Sequence, residues 1–117
     1  MKLNQLYEAK VTLGNITDPE RRAVRIEKWL RIIQKNPTEI QFLEDPTEEM
    51  QMAAVTQSPI MIVTIKQPAQ RVIDYIISNE QFMKRHPAKY RETVMKFVPN
   101  ELLRKKWLRR ADMIGNK

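Results

Sequence analysis

Asn36-Pro37-Thr38-Glu39-Ile40-Gln41-Phe42-Leu43-Glu44-Asp45-Pro46 is followed, 22 residues on, by Ser58-Pro59-Ile60-Met61-Ile62-Val63-Thr64-Ile65-Lys66-Gln67-Pro68. Laid over one another, the two stretches place Pro37 on Pro59, Ile40 on Ile62, Leu43 on Ile65 and Pro46 on Pro68. The correspondence runs on, with Met50 on Val72, Val55 on Ile77 and Thr56-Gln57 on Ser78-Asn79. A fixed self-similarity of this length marks a supersecondary unit used twice.

Each copy reads as a pair of short helices. Asn36 and Ser58 are residue types that cap helices, and a proline follows each where its missing N–H costs nothing. A short helix then directs Ile40 and Leu43, or Ile62 and Ile65, inward. Asp45-Pro46-Thr47-Glu48 restarts the chain as a capping box, with Asp45 expected at the cap. Met50, Ala53 and Ala54 recur at the spacing of a buried helical stripe. Gln67-Pro68 restarts the second copy, and Val72, Tyr75, Ile76 and Ile77 follow. The run Ile60–Ile65 is rich in β-branched residues and could form a strand by propensity alone. Its counterpart Thr38–Leu43 has no such bias, so the repeat favours helix for both.

These residues also carry a resemblance. Asn36-Pro37 through Ile40 and Leu43, then Pro46-Thr47-Glu48-Glu49-Met50-Gln51-Met52-Ala53-Ala54-Val55, resembles a short tandem helical repeat of some bacterial, phage and large-virus proteins. That repeat starts with Asn-Pro or Asn-Gly, continues with an Ile ladder and ends in Pro-Ser/Thr-Glu-Glu-Val-Gln-x-Ala-Ala-Val. The resemblance spans residues 36–79. The second copy departs from it, with Gln70-Arg71 for the Glu pair and Tyr75-Ile76 for the Ala pair. Beyond the two copies, Asn15, Val24, Gln81 and Tyr90 stand where further prolines would be expected. The resemblance implies a HEAT-like α/α stack with an interaction surface. It implies no catalytic residues.

A stack of this kind needs capping units at its ends. Leu3, Leu6 and Tyr7 lie at helical spacing within 2–13, before Gly14. Thr17-Asp18-Pro19-Glu20 reads as a second capping box, opening a helix to about Lys35. Ala23, Ile26, Leu30 and Ile33 share one face of that helix, with Trp29 beside them. Asn79 caps a short helix, Pro87 starts another reaching about Phe97, and Asn100 caps a last one ending at Gly115. On the last helix Leu103, Trp107, Ala111 and Ile114 share an inward stripe. Leu102 and Met113 fall instead among basic residues, placed to pack on something beyond the core. The expectation is one all-α domain of roughly seven to nine short helices. It comprises N-terminal capping helices (1–35), two helical-pair repeats (36–79) and basic C-terminal helices (80–117).

The chain has 117 residues, a length that suits one domain. Its net charge of +7 is unevenly distributed. Residues 1–83 carry 10 basic and 11 acidic side chains, whereas residues 84–117 carry 11 basic against three acidic. Between Lys35 and Lys66 there is no cation, while Glu39, Glu44, Asp45, Glu48 and Glu49 fall there. Such asymmetry bears on partners, not on fold.

Little in the sequence points to catalysis. There is no cysteine, so no disulfide, thiolate nucleophile or Cys-based zinc site, and a reducing compartment suits the chain. His86 is the only histidine, and alone it cannot build a typical zinc site. Ser58 and Ser78 fall at repeat boundaries, where capping accounts for them. The acidic pairs Glu44-Asp45 and Glu48-Glu49 lie where a helix N-terminus attracts negative charge. Gly14 and Gly115 are the only glycines, too few for a phosphate-cradling loop. The expectation is a non-enzyme without cofactor or metal. Met50, Met61 and Met95 read as gap-fillers of the core.

The C-terminal basic segment carries the functional expectation. Lys105, Lys106, Arg109 and Arg110 form an arc on the last helix, and Arg104, Lys89 and Arg91 add to it. Arg21, Arg25 and Lys28 form a second basic face. The first reading is a protein that docks on an acidic protein surface or a larger complex, for instance a phage or bacterial accessory protein that modulates a host complex. The second reading is a sequence-tolerant DNA or RNA binder that uses the basic C-terminal helix, with help from the Arg21–Lys35 face, its cations neutralising phosphates. The acidic stretch leaves self-association open. No apolar run approaches the roughly 18 residues of a membrane span, and Met1-Lys2-Leu3-Asn4-Gln5 is unlike a signal peptide. A cytoplasmic location, the host cytoplasm if phage-encoded, is expected.

Overall fold

A computed structural model describes residues 11–115. Among them the chain is all-helical, with no strand. It gathers into two compact units divided between Ile65 and Lys66, and that division falls inside the second copy of the 22-residue pattern.

The first unit contains a 3-10 turn at Leu13–Asn15, helix α1 (Pro19–Lys35), a 3-10 helix at Pro37–Phe42, helix α2 (Glu48–Gln57) and a 3-10 helix at Pro59–Thr64. Helix α1 packs on α2 and on Pro37–Phe42, and α2 packs on both longer 3-10 helices. The prolines begin both of these helices, as the sequence implies. Ile40 and Ile62 within these helices and Leu43 and Ile65, the extended residues that follow them, are all buried. The chain enters and leaves the two segments alike. Asn36 and Ser58 have φ/ψ of −144/97 and −144/91, and Thr47 and Ala69 have −68/163 and −65/152. Residues 60–65 form no strand. Met50, Ala54 and Val55 of α2 are fully buried, and the Gln57 side-chain amide donates to the Ile33 carbonyl of α1 at 3.3 Å.

Ser58, expected to cap, makes no side-chain cap hydrogen bond, and two further caps differ from the expected boxes. Thr47, not Asp45, caps α2, its hydroxyl accepting the Met50 amide at 3.2 Å. Asp45 is thereby free to turn away from the helix. Its carboxylate accepts the backbone amides of Leu13 and Gly14, each at 2.8 Å. Asp18, not Thr17, caps α1, accepting from the Glu20 amide at 3.0 Å. The helix expected over 2–13 lies mostly outside the described residues. Within them, Val11 is not helical but forms an isolated parallel bridge with Leu43, and its carbonyl accepts the Glu44 amide at 2.8 Å. On α1, Ile33 is buried and Ile26, Trp29 and Leu30 are half-buried, but Ala23 is exposed.

The second unit contains α3 (Gln70–Ile77), α4 (Glu80–Arg85), α5 (Pro87–Phe97) and α6 (Glu101–Gly115). Helix α5 packs on α3 and α4, and α6 packs on α4 and α5. Its core is Val72, Ile73, Ile76, Ile77, Phe82, Met83, Tyr90, Val94, Val98 and Ala111. Tyr90 sits edge-on to Phe82, ring centroids 6.3 Å apart. Its buried hydroxyl donates to the Ile77 carbonyl at 2.7 Å, satisfying one of the acceptors that the end of α3 leaves open. Asn79 caps α4 by accepting the Phe82 amide at 3.0 Å. Asn100 caps α6 by accepting the Leu102 and Leu103 amides at 2.9 and 3.1 Å. Of the methionines expected inside, Met50 is buried and Met61 half-buried, but Met95 is 55% exposed. Met83 fills the core instead.

Candidate interaction surface on the last helix

Helix α6 sits on α4 and α5 through a narrow strip. Ala111 is buried, and Arg104, Trp107, Leu108 and Ile114 are half-buried. This strip is rotated from the expected one, since Leu103 is 46% exposed and Leu108 takes an inward place. Ala111, the most buried of these side chains, lies at the centre of the strip. At about 100° per residue, the direction opposite Ala111 holds Arg109, Leu102, Met113 and Lys106 within an arc of about 60°. The two apolar residues on this outer face are far from shielded. Leu102 is 78% exposed and Met113 65% exposed.

These side chains border a groove of about 600 Å³. Lys105, Lys106, Arg109 and Arg110 line it, with Leu102, Met113 and Ile114 as its apolar part. Glu80 of α4 is the carboxylate among the lining residues, and its Oε1 accepts from Arg110 Nη2 at 2.7 Å. Lys105 stands 3.7 Å from Glu101, one turn back. Among the described residues Arg109 has no ion pair, and the Lys106 ammonium lies 5.4 Å from the centroid of its neighbour Trp107. The groove is thus lined by apolar and cationic side chains together, and two of its four cations already have carboxylate partners. All are solvent-facing, so each pair contributes no more than about 1 kcal/mol to stability.

The remaining expected site residues lie elsewhere. Arg104 is on the inward side of α6, its Nη2 donating to the Pro99 carbonyl at 3.3 Å, and its Nε is buried without a partner. Lys89 stands 3.6 Å from Glu92 on α5, and Arg91 pairs with Asp112 of α6. Neither lines the groove. Arg21, Arg25 and Lys28 come together in the first unit, where they border a groove of about 750 Å³ with Ile16, Val24, Asp18 and Glu20.

No family matches. Neither a protein-family model, nor a curated protein, nor a solved structure matches the chain, so the resemblance to the HEAT-like repeat has no support from relatives. The chain stands as a small all-helical protein. Among the described residues no helix is long and apolar enough to cross a membrane. No group of three or more His, Asp or Glu that could hold a metal is found among them either. Glu80 could not have been found from the sequence, where it reads only as a favourable charge in the first turn of a helix. Its pairing with a residue 30 positions away depends on how α4 meets α6.

Burial pushes the Tyr90 phenol well above its ordinary range, and the nearby positive charge of Arg110 opposes that shift.

Proposed function

We propose that this chain is a non-enzymatic interaction protein that binds an acidic protein surface through the outer face of α6. The observation carrying this reading is the position of Leu102 and Met113. They stand on the most exposed face of the helix, with Lys106 and Arg109 between them and Lys105 and Arg110 beside that line. Phosphate binding has no use for apolar side chains there, because phosphate contacts are made by cations and hydrogen-bond donors. A protein partner uses both kinds, apolar side chains as anchors and charge for steering. The matching entry angles of the two 3-10 helices support, as part of the same proposal, a duplicated helical-pair scaffold of the HEAT-like kind.

The test is affinity capture with the wild type and two double variants, Lys106→Glu/Arg109→Glu and Leu102→Ser/Met113→Ser. A partner retained by the wild type and lost by both variants supports the reading. A partner retained equally by all three overturns it.

Nucleic-acid binding is the second reading, favoured by the first unit. There Arg21, Arg25 and Lys28 surround a single exposed apolar residue, Val24. Duplex or single-stranded DNA titrated across salt decides it. Three phosphate contacts give a log–log slope near −2.7 for duplex, about −0.9 per contact. Absence of binding at about 50 mM salt removes this reading.

A further inference from the structure

We infer that the partner element received by α6 is itself an α-helix, carrying apolar residues at the two ends of a three-turn stripe and two carboxylates between them. This deepens the reading above and rests on it.

The inference comes from order along one line of the surface. Leu102, Lys106, Arg109 and Met113 follow at intervals of four, three and four residues. That is the progression by which one face of a helix is traced. At about 1.5 Å per residue the line is about 16.5 Å long. Its ends are apolar and exposed, and its middle is cationic. The flanking cations are occupied from within the chain, Arg110 by Glu80 and Lys105 by Glu101. The middle cations are not. Among the described residues neither Lys106 nor Arg109 has an ion pair, and the Lys106 ammonium lies over the neighbouring Trp107 ring. The surface therefore offers an incoming group two apolar positions and two available charges, in the order apolar, cation, cation, apolar.

A helix meets this order with side chains of the complementary order at the same spacing. Helices laid in shallow grooves are read through such i, i+4, i+7, i+11 positions. The intervals are the same in both directions, so the partner helix can lie parallel or antiparallel to α6. An acidic loop or a disordered acidic tail could satisfy the two cations. An extended segment covers the span in about five residues, but its side chains alternate between faces, so those on one side fall at multiples of about 6.7 Å and miss a separation of about 16.5 Å.

Two Ala-rich, fluorescein-labelled peptides of about 20 residues, long enough to hold a helix, provide the test by fluorescence anisotropy against the full chain at about 50 mM salt. One carries Leu, Glu, Glu and Leu at i, i+4, i+7 and i+11. The other has the same composition in the order Glu, Leu, Leu and Glu. The expected result is at least about tenfold tighter binding of the first peptide. Leu102→Ser/Met113→Ser removes the difference between the peptides, and Lys106→Glu/Arg109→Glu abolishes binding of both. Equal affinity for the two peptides, still lost on Lys106→Glu/Arg109→Glu, overturns the helical order while the acidic-partner reading stands. No binding of either peptide overturns both. The substituted residues are exposed, and circular dichroism of each variant verifies that its fold is intact.

Discussion

The carboxylate of Asp45 holds the backbone amide of Gly14 at 2.8 Å, and its other oxygen holds the amide of Leu13. One charged side chain thus fixes a 3-10 turn that lies 31 residues away in sequence. A Cβ added at Gly14 would stand 3.2 Å from the same carboxylate. Asp45 cannot retreat from it without loosening both hydrogen bonds. Asp45→Ala should destabilise the protein by about 1–3 kcal/mol, since hydrogen bonds to charged groups fall in that range. Gly14→Ala should cost less, and its cost should vanish in the Asp45→Ala background. Urea unfolding of the four proteins of this cycle measures both effects. Additive costs would show that the Gly14 contact does not act through Asp45.

The 3-10 reading of Pro59–Thr64 makes a different pattern from that of a strand. Ile62 and Ile65 are both buried, whereas Val63 is exposed. In a strand, residues three apart would face opposite sides. Ile62→Ala and Ile65→Ala should each cost about 2–5 kcal/mol, and Val63→Thr should stay within about 0.5 kcal/mol. Chemical denaturation midpoints at equal slope settle the comparison.

Tyr90 links stability to alkaline pH. Its phenol is raised in the folded protein above the ordinary value of 10.0 by burial. The unfolded chain therefore releases this proton first. The stabilisation is complete below about pH 10 and is lost as pH rises beyond it, by up to about 1.4 kcal/mol per pH unit. Tyr90→Phe removes that component and leaves the Ile77 carbonyl without its donor, at a cost of about 1–3 kcal/mol near neutrality. The wild-type-minus-variant stability, followed from pH 8 to 11, should shrink at the alkaline end. A constant difference would contradict the assignment.

Asn100 holds the start of the helix that bears the candidate surface. Its side chain serves two amides at once. Asn100→Ala should cost about 1 kcal/mol and Asn100→Gly only a few tenths. Amide hydrogen exchange should quicken first at Leu102 and Leu103, the residues whose N–H groups lose their acceptor.

Much of the helical order was legible because caps and prolines are local signals. Pro19, Pro37, Pro59 and Pro87 each open a helical segment where the sequence places one, and Asn36, Asn79 and Asn100 cap as their types suggest. What failed was the assignment of a polar side chain between two nearby roles. Asp45 and Thr47 are both able to cap, and the choice rests on Leu13 and Gly14 arriving from afar. Periodicity located α6 and placed Trp107, Ala111 and Ile114 on its inward strip, but put Leu103 there, where the structure has Leu108. The basic arc was legible as composition. Its division into occupied and available cations was not, since Glu80 reaches Arg110 only through the packing of α4 on α6.

The same-sign rim around Leu102 and Met113 also governs how copies of the protein treat each other. Two such faces brought together would oppose Lys106 and Arg109 to their own kind. At about 0.1 M salt this repulsion reaches about 10 Å, and at 1 M only about 3 Å. Added electrolyte therefore acts in two directions on one patch. It weakens attachment to an acidic partner, and it lets the bare apolar side chains of separate molecules meet. The charges that would recruit the proposed partner also keep like patches apart, and concentrated brine is the condition in which light scattering should rise.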